Sequence, residues 1–121
     1  MAKIGGNTTA ILQVQAGMTT NGIERIPIWV DAVDFTGFID LQAGDSGRTT
    51  YNAKIQESTN VFVCDYKPIP ATLEVDGEIV QVDLENARMV VNSQRYDVNL
   101  IDDPMELHDH LEIFLKFTGG Q

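Results

Sequence analysis

Leu107 to Phe117 is an alternating run that suits a β-strand and little else. Leu107, Leu111, Ile113, Leu115 and Phe117 fall on one face, and His108, His110, Glu112 and Lys116 on the other. A period of two marks a strand with one face in a core and the other in water or against a partner. Asp109 interrupts the apolar face, so the strand is expected to begin near His110. Upstream, Asp102-Asp103-Pro104 ends an earlier strand, Arg95 to Ile101, because Pro has no N–H to give a ladder. That strand is expected to place Tyr96, Val98 and Leu100 on one face. Before it, Asn92-Ser93 is a tight-turn pair following Met89, Val90 and Val91, since Asn tolerates the positive φ of a two-residue hairpin. Asn86 to Gly119 is therefore predicted to be three consecutive antiparallel strands.

The remainder reads the same way. Residues 1–8 are Gly-rich and polar, which predicts a flexible N-terminal arm. Ile11 to Ala16 is a short strand with Leu12 and Val14 opposed to Gln13 and Gln15. Gly17 to Gly22 is expected to be a loop holding the turn pair Asn21-Gly22. Ile26 to Val33 is a strand with Pro27 near its start; Ile26, Ile28, Val30 and Ala32 form one face and Trp29 the other. Thr36 to Leu41 is a further short strand, and Ala53 to Tyr66 another, kinked near Ser58-Thr59-Asn60. Between them, Gln42, Ala43, Gly44, Asp45, Ser46, Gly47, Arg48, Thr49 and Thr50 carry no large apolar side chain and predict an exposed loop. Pro68-Ile69-Pro70 makes a rigid corner. Thr72 to Leu84 reads as a hairpin turning at Asp76-Gly77. No helical period is convincing. The expected fold is all-β: one small antiparallel β-barrel or sandwich over residues 9–118, with a long polar loop and a loose end at 119–121.

Composition narrows the function. With 18 acidic and 8 basic residues the net charge is −10, unsuited to gripping nucleic-acid phosphates but suited to a wall that DNA slides past. Aromatic residues are few and not interleaved with basic ones, unlike a single-strand binder. The single cysteine, Cys64, lies in an apolar run and reads as a buried small hydrophobe in a reducing compartment. The start lacks the plan of a signal peptide, and no apolar run approaches the roughly 18 residues of a membrane helix. The chain is expected to stay in the cytoplasm or in a particle assembled there, with no membrane contact.

Little here carries chemistry. On a strand, His108, His110 and Glu112 would share a face, and two histidines with a carboxylate are an open metal set. The competing reading is an exposed or interfacial strand face, and no metal or other cofactor is expected. Asp102-Asp103 reads as a turn rather than a catalytic pair, because neighbours on a strand point to opposite faces. Asp83 and Glu85 form a second acidic pair, and no nucleophile elbow is present. Nothing points to an enzyme. Trp29 is either a sheet-covering aromatic or an interface anchor.

The order of elements from Ile26 to Phe117 resembles the head-closure or head–tail joining proteins of long-tailed phages. The residues that carry the resemblance are Val61 to Tyr66 leading into Lys67-Pro68-Ile69-Pro70, then the Arg95-Tyr96-Asp97-Val98 strand, the Asp-Asp-Pro corner and the final apolar strand. Thr72 to Leu84 is additional to that pattern. The resemblance implies a β-barrel in a homo-oligomeric ring of the virion neck, between a portal or adaptor ring and the tail proteins, assembled in the host cytoplasm. It implies a loop that projects into the lumen and retains packaged double-stranded DNA without reading its sequence. By position and composition that role falls to Gln42 to Thr50. Other virion roles, tail completion or capsid decoration, stay open, as does a small metal-dependent enzyme using His108, His110 and Glu112.

Overall fold

Among the described residues every strand but two joins one ring of antiparallel pairings. The computed structural model describes residues 5–41 and 58–120. Its strands are β1 (Thr8–Asn21), β2 (Glu24–Leu41), β3 (Asn60–Asp65), β4 (Thr72–Val75), β5 (Glu78–Gln81), β6 (Ala87–Val91), β7 (Gln94–Asp102) and β8 (His110–Gly120). Six of them follow the order β1-β2-β3-β8-β7-β6, and Ala10 to Val14 of β1 pair with Ala87 to Val91 of β6 to close the barrel. Strands β4 and β5 form a separate hairpin.

Two turns are written locally in the chain. Asn92 and Ser93 both take positive φ, 53° and 63°, and so do Asp76 and Gly77, 51° and 82°. Positive φ at both central residues is the hairpin geometry that matches strand twist. Each pair sits where the sequence predicts it, between β6 and β7 and between β4 and β5.

The barrel interior is apolar and tightly filled. Leu12, Val14, Phe62, Met89, Ile113 and Leu115 are fully buried, and burying each such side chain stabilises the fold by about 1.5–3 kcal/mol. The β4–β5 hairpin closes one end: Leu73 and Val80, with the flanking Ile69, Val82 and Leu84, pack on the core. It returns to β6 through a one-turn helix, Leu84–Asn86, where the Asp83 carboxylate accepts the Glu85 N–H at 3.2 Å and Asn86 Oδ1 accepts the Asp83 N–H at 3.3 Å. The Asp83 and Glu85 pair is thus part of a cap.

Several expectations need correction. β1 and β2 are longer than predicted: Gly17 to Gly22 is not a loop, since β1 runs to Asn21 and the turn is Gly22-Ile23. Thr36 to Leu41 is the end of β2, not a separate strand. Ala32 is an extra residue in β2, between the pairs Leu12–Val33 and Gln13–Asp31. Beyond this bulge the phase switches, so Val33 rather than Ala32 packs on the core with Val30. Asn99 is likewise extra in β7, and Ile101 replaces Leu100 on the core side. The N-terminal arm ends earlier than residue 8: Thr8 is already in β1, and Gly6 lies against the Gly37 backbone. Gly119 and Gly120 of the expected loose end pair with Arg95 and Gln94.

Cys64 is buried as predicted, and burial, with the nearby Asp65 charge, pushes its thiol up to about 12. The thiolate is the reactive form. A thiol reagent at pH 8 is expected to leave the folded protein unlabelled and to label it stoichiometrically once unfolded. Rapid labelling of the native protein would show that this wall opens.

Candidate functional site

The two ends of the barrel differ. One end carries the Asn92-Ser93 turn, the last residue of β2 and the first of β3. The other carries three projections: the β1–β2 turn, the β4–β5 hairpin and the β7–β8 connection. This second end is the candidate site.

The first projection is a spur. Strand β1 pairs with β6 only over Ala10–Val14, and β2 pairs with β3 only over Gly37–Leu41. From Gln15 to Asn21 and from Glu24 to Trp29 the two strands pair only with each other among the described residues. Gly17, at φ +133°, sits in a bulge between the pairs Gln15–Trp29 and Met18–Pro27. Met18, Ile26 and Ile28 are about two-fifths exposed and Ile23 fully so. Bare strand edges invite pairing with other chains. Two features blunt this one: Pro27 has no N–H, and Lys67 reaches over the β2 edge, donating to the Asp34 carbonyl at 2.7 Å and to its carboxylate at 3.1 Å. That ammonium, hydrogen-bonded to Asp34, holds its carboxyl below the usual range.

At the root of the spur Trp29 is half-buried on the outer face of the sheet. The Arg88 guanidinium lies 4.3 Å from its ring centroid and donates to Gln13 Oε1 at 2.8 Å, while Gln13 Nε2 donates to Asp31 at 2.9 Å. This ladder crosses β6, β1 and β2 in register. Of its two readings, the geometry matches a sheet-covering aromatic, held by a cation over its face.

The opposite projection is a strained corner. Met105, Glu106 and His108 take φ of 56°, 54° and 58°. The left-handed region costs about 1–2 kcal/mol per non-glycine residue, so other contacts must hold it. The Asp103 carboxylate accepts the His108 N–H at 3.0 Å and also faces His108 Nδ1. Glu106 N–H donates to the Asp103 carbonyl at 2.8 Å, and the His108 ring lies 4.5 Å from that of Tyr66. The result presents Met105 and Leu107 to solvent, 86% and 60% exposed.

The open metal set left as an alternative does not share one strand face. His108 and Leu107 precede β8 and belong to the corner, so Leu107 is not on the core face and His108 is not beside His110. His110 and Glu112 do share a face, with Nε2 and Oε2 3.1 Å apart. Among the described residues no three His, Cys, Asp or Glu side chains group to hold a metal ion, and no helix is long and apolar enough to cross a membrane. The loop Gln42 to Thr50 lies outside the described residues. Sequence reading took Gly17 to Gly22, on the β1 side of the spur, for a loop, and set Leu107 and His108 on the faces of the last strand, although Asp109 marked its start near His110, where β8 begins. The usable signal was Met105 and Leu107, large apolar residues set among Asp102, Asp103, Glu106 and Asp109. Comparison of the chain with protein-family models and with curated proteins finds no match.

Proposed function

We propose that this chain is a structural component of a phage neck, a head-closure ring protein that joins the portal or adaptor to the tail and retains packaged DNA. The observation that carries the reading is the arrangement of the resembling elements. Val61 to Tyr66, the Tyr96-containing strand and the final apolar strand are not scattered: β3, β8, β7 and β6 are consecutive walls of one barrel. The apolar spur and corner add support, since large hydrophobic side chains set together in water mark contact surfaces for other proteins. The net charge of −10 suits a lumen that DNA must leave freely.

Two segments are candidates for the DNA-retaining loop. Gln42 to Thr50 lies between β2 and β3 in the sequence; the β4–β5 hairpin caps the spur end. Deleting Asp45 to Thr49 separates them. DNA-filled heads lacking this protein are incubated with wild-type or shortened chain, and retained DNA is read by nuclease protection. Wild type is expected to dock at the neck and protect the DNA. The shortened chain is expected to dock and let it leak. Full retention with normal docking transfers the role to the β4–β5 hairpin. Wild-type density on the capsid surface or in the tail, rather than at the neck, overturns the head-closure reading in favour of decoration or tail completion.

A further inference from the structure

We infer that the spur of one copy docks on the strained corner of the next, a head-to-tail contact between copies of this chain. Three observations select this occupant. The first is shape: both surfaces put large apolar side chains in water, Ile23, Ile26 and Ile28 on the spur and Met105 and Leu107 on the corner. The second is charge. From Gln15 to Trp29 the only charged residues are Glu24 and Arg25, and Arg25 makes no ion pair among the described residues. The corner is acidic apart from His108, which is bonded to Asp103: Asp102, Asp103, Glu106 and Asp109 flank its apolar pair along the chain, and no Lys or Arg occurs from Tyr96 to Leu115. Two corners therefore repel each other, whereas a corner and a spur bearing Arg25 at its tip do not.

The third observation is placement. In the strand order β1-β2-β3-β8-β7-β6 the spur grows from β1–β2 and the corner joins β7 to β8. One neighbouring strand, β3 or β6, separates the two on either side, so they project from opposite walls. Two different patches on opposite walls make a heterologous contact, which repeats from copy to copy and closes into a ring when the rotation allows. The inference deepens the neck reading by naming the surfaces that build its ring, but its test uses the purified chain alone.

The mass of the purified protein is measured by sedimentation over a range of concentrations. Wild type is expected to grow beyond a dimer. A spur variant, Ile23→Asp with Ile26→Asp, and a corner variant, Met105→Asp with Leu107→Asp, should each stay monomeric with unchanged melts, because all four side chains are exposed. Mixed in equal amounts, the two variants should form a dimer that grows no further, since one intact spur meets one intact corner. Arg25→Glu should weaken association about fivefold or more, and adding Glu106→Arg should restore it. A corner variant that associates like wild type would instead indicate spur-to-spur pairing and overturn the proposal. So would a wild-type chain that is monomeric at every concentration. If that monomer still docks at the neck of filled heads, the neck reading survives; if the chain associates as described but is found elsewhere on the particle, only the neck reading falls.

Discussion

Gly37→Ala is expected to lower the melting temperature by about 10 °C or more. Gly37 pairs with Thr8 on β1 and with Cys64 on β3, where the barrel wall turns. A Cβ at this position would strike the Val63 carbonyl oxygen and come within 2.9 Å of the Cys64 Cβ. Neither obstacle is the end of a flexible side chain. Val63 is itself held between Phe38 and Glu112 in the sheet, and Cys64 is in the core. Overpacking usually costs about 1–3 kcal/mol, and rigid neighbours place this case at the upper limit. That is a large part of the roughly 5–15 kcal/mol that holds a domain of this kind together. Lys116→Ala, on the exposed face of β8, is the control and should melt like wild type. An unchanged melt for Gly37→Ala would show that β2 and β3 can separate there without cost.

On β8 the largest losses are expected at three consecutive positions, not at every second one. Ile113→Ala and Leu115→Ala should each cost about 2–5 kcal/mol in denaturant unfolding, because both side chains are fully buried in the core. Phe114→Ala should cost as much, about 3–5 kcal/mol. Phe114 faces the other way, paired with Val61 and Leu100, yet is only 2% exposed. Phe117→Ala should be milder. Its ring is 45% exposed at the barrel mouth and keeps one edge-on contact, 5.6 Å between centroids, with Tyr96. A silent Phe114→Ala would mean that burial on the outer face contributes nothing to stability.

The pattern of these expectations separates what the chain states locally from what closure of the barrel imposes. Asn92-Ser93 and Asp76-Gly77 were legible because the positive φ they need is a property of those residues and their neighbours. Leu111, Ile113 and Leu115 were legible because one strand's alternation reports its own buried face. The all-β class followed from many such segments in succession. The extra residues Ala32 and Asn99 were not legible. Each bulge is defined by a partner strand, β1 for one and β8 for the other, and it moves the core face from Ala32 to Val33 and from Leu100 to Ile101. Nor was the need for glycine at Gly37, which comes from β3, far along the chain. The candidate site was the least legible part. His108 looked like one step of an alternating strand, but Asp103 and Tyr66 hold it in the corner, and only the folded barrel sets that corner and the spur on opposite walls. Local conformational preference therefore determined the turns, the strand faces and the fold class. The phase of the long strands and the surfaces offered to partners were decided by pairing between residues distant in sequence, where the gain from closing the barrel outweighs the cost of a bulge or a strained corner.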